Sequence, residues 1–248
     1  MKAVKVEWGS CYIGDSSIKP LIADILHMGG NICGGFPRYM SQSEEARQWG
    51  GMPNDIDIFP SSDKNKSDIN RYLLSQGFQL HKMSVAANTF HSSRSPLDFQ
   101  VINISCPSPE MIISDFDIEA CKFFFASMDV IEGTEQAFDD NNKSTITISN
   151  GWESPIELAY RVGKYVSKGF TLDPLNSIRL CTLLEGELDT DIRLQEVVDK
   201  QDNILRAVHM FRTSGLFEEI SRTAYANFIK RFHQRIEELR NKYKNTML

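Results

Sequence analysis

Three acidic residues on two β-segments could do chemistry together in this chain. Asn54-Asp55-Ile56-Asp57-Ile58-Phe59 places two aspartates one residue apart inside an apolar strand. Residues i and i+2 of a strand share a face, so Asp55 and Asp57 project together while Ile56 and Ile58 face the other way. Paired carboxylates repel unless a cation neutralises them. Hard divalent ions such as Mg²⁺ take carboxylate oxygens together with substrate phosphates. About twenty residues earlier, Ile32-Cys33-Gly34-Gly35-Phe36-Pro37-Arg38 ends an apolar strand on two glycines. Glycines let phosphate approach the backbone and the helix start that follows. A guanidinium such as Arg38 suits phosphate as a bidentate partner. The combination points to a metal-dependent site acting on a nucleoside triphosphate.

A two-metal phosphoryl site usually needs a third acid. Asp98 is the best choice, because it opens the apolar segment Asp98-Phe99-Gln100-Val101-Ile102. A charge there is costly unless it is paired or binds metal. Asp115 and Asp117 are rivals with the same i, i+2 spacing, although they follow a proline-rich break where acids often cap helices.

These residues must be held by a sizeable core. The chain has 248 residues, of which 41% are hydrophobic and 24% charged. No run reaches the ~18 apolar residues of a membrane span, and no signal-peptide pattern opens the chain. Cys11, Cys33, Cys106, Cys121 and Cys181 show no C-x-x-C spacing, which reads as reduced thiols in a cytoplasmic protein. The net charge of -6 argues against a broad nucleic-acid surface, though not against a local basic groove. The histidines His27, His81, His91, His209 and His233 have no ligand spacing and read as structural.

Periodicity predicts helices over 16–29, 37–48 and 63–76, and strands over 31–35, 55–59 and 78–82. Strands over 85–91 and 97–104 are joined as a hairpin. Residues 118–125 fit either helix or strand. Residues 139–143 read as a turn, and 143–148 as a strand. From Pro155 onward the pattern is helical, over 155–168, 175–185, 189–211 and 216–244. A division into an α/β part (1–150) and a helical part (151–248) follows.

Taken in order, the segments resemble the nucleotidyltransferase superfamily that includes DNA polymerase beta. They are most similar to the head of tRNA CCA-adding enzymes and bacterial poly(A) polymerases. The family series is Gly-Gly-x-x-Arg-Asp, Asp-x-Asp, a third Asp on a later strand, then Arg-Asp-Phe-Thr-x-Asn-Ala. Gly34, Gly35 and Arg38 match the first element, Asp55 and Asp57 the second, and Asp98 the third. Asp115-Phe116-Asp117-Ile118-Glu119-Ala120 resembles a drifted fourth, with Asp117 and Glu119 in place of Thr and Asn. Tyr39 follows Arg38 where the family has Asp. Glu157 to Arg161 and Lys164 to Phe170 are similar to the helical neck, with Leu158 where an acidic base-reading group would stand.

The resemblance spans residues 18–172. It implies an α+β fold, a mixed-sheet nucleotidyltransferase head followed by a helical domain. It also implies Mg²⁺ (or Mn²⁺) on Asp55, Asp57 and Asp98, and an NTP held by Gly34, Gly35, Arg38, Arg161 and Lys164. The reaction it implies is transfer of NMP to an acceptor hydroxyl with loss of pyrophosphate. An RNA or tRNA 3′ end, a protein side chain and a small molecule all remain open as acceptors. So does a non-catalytic nucleotide-binding protein that keeps the fold.

Overall fold

The computed structural model of the chain describes residues 1–6, 18–43, 52–93, 95–149 and 154–172, with single residues such as Trp8, Arg47 and Leu180 outside those runs. Most of the helical stretches expected beyond residue 172 lie outside the described residues. Two compact units are present, Met1–Lys143 and Ser144–Leu248.

The first unit is built on a five-stranded mixed sheet. Its strands are β2 (Gly30–Ile32), β3 (Asp55–Pro60), β4 (Gln79–Met83), β5 (Ala87–His91) and β6 (Asp98–Ile102). The order across the sheet is β2-β3-β6-β5-β4. The β3–β6 pair is parallel and the other pairs are antiparallel. A second, three-stranded sheet joins β1 (Lys2–Lys5), β8 (Val130–Gly133) and β7 (Phe123–Ser127), in that order. Among the described residues, an antiparallel bridge from Cys33 to Phe124 links the two sheets.

Alternation decides which sheet face is wet. Ile56, Ile58, Phe90, Phe99 and Val101 are buried together with Ile18, Ile22 and Ile25 of α1 (Ile18–His27) and Ile69 and Leu73 of α3 (Asp63–Ser75). Each such side chain contributes about 1.5–3 kcal/mol on leaving water, so this face holds the sheet in register. Asp55, Asp57, Asp98 and Gln100 occupy the opposite face and are partly exposed.

The helices begin where their caps dictate. Ser62 Oγ accepts from Asn65 N at 3.2 Å to open α3. Ser108 accepts from Met111 N ahead of Pro109 to open α4 (Pro109–Ser114). Such caps satisfy N–H groups that have no partner inside the helix. Gly29 turns between α1 and β2 with φ of 78°, and a Cβ there would fall 2.3 Å from Asn65 Nδ2.

Two expectations change. Residues 139–143 are not a turn but the end of α5 (Glu135–Lys143). Thr134 Oγ1 accepts from Ala137 N at 3.0 Å, and Phe138 packs edge-on against Phe123 with centroids 4.9 Å apart. A cap and an inward face outweigh the turn preference of the Asp-Asp-Asn-Asn run. The helix expected over 37–48 starts earlier, as α2 (Gly35–Met40), which Ser41 closes, and residues 44–46 and 48 of that expectation lie outside the described residues. Residues 118–125 resolve into a 3₁₀ turn, Glu119–Cys121, followed by β7. The strand β1 has no counterpart among the sequence expectations, because four residues at a chain end carry too short a pattern.

The second unit contains α6 (Pro155–Val166), capped by Ser154, and a short parallel pair of β9 (Thr145–Ile146) with β10 (Thr171–Leu172). Leu158, Ala159 and Val162 form its buried face. Among the described residues, no helix is long and apolar enough to cross a membrane.

Candidate functional site

The parallel pairing of β3 with β6 brings the acids together. Asp55 is the register partner of Asp98, and Asp57 is the partner of Gln100. Neighbouring strands lie about 4.8 Å apart, so Asp55 and Asp98 stand side by side on the wet face with Asp57 one step along β3. Asp115 and Asp117 are instead in the turn after α4, away from β6 in sequence, and Asp117 is buried.

Hydrogen bonds hold two of the acids in defined orientations. Gln100 Nε2 donates to Asp55 Oδ2 at 2.9 Å. His91 Nδ1 lies 2.7 Å from Asp98 Oδ1. The sequence spacing of His91 marks it only as structural, and the fold brings it to the acidic row. The signal that would have found it is the hairpin itself, which folds β5 back along β6.

The glycine pair sits at the edge of this row. Gly34 is the N-cap of α2, with φ of 91° and ψ of -131°. Side chains rarely adopt that backbone. A Cβ at Gly34 would lie 3.8 Å from Asp57 Oδ2 and 3.6 Å from the Phe116 ring, so the turn runs directly beside the acidic row. Gly34 N donates to Phe123 O at 2.8 Å, which fixes the turn to the second sheet. A Cβ at Gly35 would meet nothing within 4 Å, which leaves open space over its backbone.

Arg38 is carried by the same helix but points inward. It is fully buried, and its Nη1 reaches Asn141 Oδ1 of α5 at 3.5 Å. Arg161 and Lys164 lie on the exposed side of α6 in the second unit, with Lys164 Nζ 5.0 Å from the centroid of Tyr160. The drifted fourth element serves structure in part: Glu119 Oε1 pairs with Lys122 Nζ at 2.8 Å, and Thr134 Oγ1 donates to Glu119 Oε2 at 3.3 Å. Phe116 stacks obliquely on Phe59, centroids 6.1 Å apart, beside an apolar cluster of Cys33, Ile112, Ile113 and Phe124.

Burial in that cluster pushes the Cys33 thiol well above its ordinary value, and the negative charge of Asp57 adds to the effect. Cys33 therefore stays a neutral thiol and is no nucleophile. In the native protein at pH 8, Cys33 is expected to resist iodoacetamide, as read by peptide mass mapping, and to react once urea unfolds the chain. The folded state keeps this proton when an unfolded thiol loses it. Stability should thus fall as pH rises above about 8.5.

The donor set is of the kind a hard cation takes, since all three acids offer carboxylate oxygens on one face. As the side chains stand, no three His, Cys, Asp or Glu groups among the described residues are gathered closely enough to hold a metal ion.

The family model described as "Gabija anti-defense 2 family protein" matches residues 11–144, which is more than half of the chain. The chain belongs to the Gabija anti-defense 2 family. A search of curated proteins returns no match. Among solved structures, this Gabija anti-defense 2 family member is similar to the Thermotoga maritima CCA-adding enzyme complexed with tRNA. The TM-score is 0.61 at 12% identity, covering 86% of this chain and 55% of that one. A CCA-adding enzyme in complex with ATP matches at TM-score 0.58 and 14% identity, over 84% of this chain and 54% of that one. The Bacillus stearothermophilus CCA-adding enzyme in complex with CTP matches at TM-score 0.56 and 14% identity, over 80% and 52%. The chain spans a little over half the length of these neighbours. At such identity the likeness establishes the fold, a nucleotidyltransferase head, as the order of the sequence elements implied.

Proposed function

We propose that this chain is a divalent-cation-dependent nucleotidyltransferase working in the counter-defence that its family description names. The observation that supports this most is the β3–β6 register, which sets Asp98 beside Asp55 on the face that also carries Asp57. Mg²⁺ or Mn²⁺ held by these carboxylates would neutralise the triphosphate and polarise its α-phosphate.

The chain's own groups do the rest. The open backbone at Gly35 and the Gly34 turn receive phosphate oxygens, and Arg38 supplies a fixed positive charge from within α2. Asp98 accepts the proton of the acceptor hydroxyl. The acceptor oxygen bonds to the α-phosphorus, the bond to the bridging oxygen breaks, and pyrophosphate leaves. Positioning and charge supply most of the rate in such chemistry.

The acceptor divides the reading. The neighbours bound to tRNA and to nucleotides support an RNA 3′ end. The net charge of -6 favours a protein or small-molecule hydroxyl instead. Incubation with each α-labelled NTP and Mg²⁺, with tRNA in one arm and Gabija proteins in another, decides between them. Label is expected in one acceptor with stoichiometric pyrophosphate. Nucleotide binding without pyrophosphate in any arm would mark a non-catalytic protein.

A further inference from the structure

Across β6 from Asp55, the third carboxylate has a partner that none of the sequence motifs anticipates. β5 and β6 pair antiparallel, Ser95 N donates to Ser92 O at 3.1 Å between them, and the pairing delivers His91 next to Asp98. The side chains are 56% and 35% exposed, and Nδ1 stands 2.7 Å from Oδ1. An ionised carboxylate only accepts hydrogen bonds, so Nδ1 carries the hydrogen and donates. The groups around this pair are Asp55 and Gln100 on the inner side, and Gln79 and His81 of β4 on the outer. The His81 ring centroid is 6.0 Å from that of His91. Gln100 does for Asp55 what His91 does for Asp98, so each member of the neighbouring pair has one oxygen tethered by a side chain from the sheet.

We propose that His91 is a positioning residue for Asp98: the Nδ1–H bond fixes Oδ1 and leaves Oδ2 to meet the cation and the acceptor hydroxyl. This inference rests on the nucleotidyltransferase reading above. An aspartate at the partly exposed start of a strand otherwise samples several side-chain rotamers, and only some direct an oxygen along the acidic row. Carboxylates that bind metals are commonly held by such outer partners, whose loss typically costs about 10–100-fold in metal affinity or activity. The bond depends on a donor at that position, not on the charge of the ring.

The test compares wild type with His91→Ala, with His91→Gln (which keeps an N–H donor) and with His81→Ala. Mn²⁺ affinity is read by electron paramagnetic resonance without nucleotide, and kcat and KM are read in NMP transfer. His91→Ala is expected to weaken Mn²⁺ binding and lower kcat, each by about 10–100-fold, with KM for NTP little changed and the melting temperature preserved. His91→Gln should regain most of both losses, and His81→Ala should match wild type. If His91→Ala equals wild type in affinity and kcat, the proposal is overturned while the transferase reading stands. A rise in kcat also overturns it, because the bond would then be parking Asp98 away from the reaction. A wild-type protein that neither binds Mn²⁺ nor transfers NMP overturns the transferase reading itself, and this proposal with it.

Discussion

A protein carrying Asp55→Asn together with Asp57→Asn is expected to lose at least about 10³-fold in NMP transfer while melting no lower than wild type. Both side chains sit on the wet face of β3, where their bodies bury little and their charges lie next to one another and to Asp98. Asparagine keeps the shape and an acceptor oxygen, so the bond from Gln100 to position 55 survives. What disappears is the negative charge that would hold a cation against the triphosphate. Removing like-charge repulsion inside the row should leave stability unchanged or raise it. Scanning fluorimetry reads the fold, and release of labelled pyrophosphate reads the chemistry. Transfer that persists in the double variant would sink the assignment of these carboxylates. Transfer lost together with the cooperative melt would make the two acids structural.

The parts of this site that were legible in the sequence are those written into local patterns. Asp55-Ile56-Asp57-Ile58 alternates with period two, so its wet face could be read directly, and the Ser-Pro connection after His91 marked the β5–β6 hairpin. Gly34 and Gly35 marked a tight turn, and the structure puts Gly34 beside Asp57. Pairings that depend on distant segments were not legible. Nothing local says that β6 runs parallel to β3, and only that register makes Asp98 the neighbour of Asp55. His91 follows from the same pairing, because a residue of type His with no ligand spacing becomes significant only when a folded neighbour defines its partner. The sequence also gave no sign that the Arg38 side chain turns inward toward Asn141, since helix-facing depends on what packs behind the helix. In α5 a turn-forming run is overruled by the Thr134 cap and by Phe138 meeting Phe123, a contact between residues 15 positions apart.

The same dependence of site on core gives the second large effect, at Phe99. This ring is fully buried between Asp98 and Gln100 and meets Phe78 edge-on with centroids 4.9 Å apart. Its register partners are Ile56 on β3 and Phe90 on β5, so it fills the space where the central strands meet α1 and α3. Phe99→Ala removes that ring and leaves a cavity that a five-stranded sheet cannot close without shifting β6. Losses of about 3–5 kcal/mol are usual for such truncations. In urea the transition of the first unit should move to a lower midpoint with little change in slope, and its melting temperature should fall by roughly 10 °C. Because residues 98 and 100 flank the cavity, transfer should also weaken at low temperature, where the variant remains folded. Phe99→Leu, which refills most of the volume, should recover the greater part of both losses. A midpoint that hardly moves would show that Phe99 does not support the strand that presents Asp98. A lowered midpoint with undiminished kcat would show that the acidic row holds its geometry independently of the core beneath it.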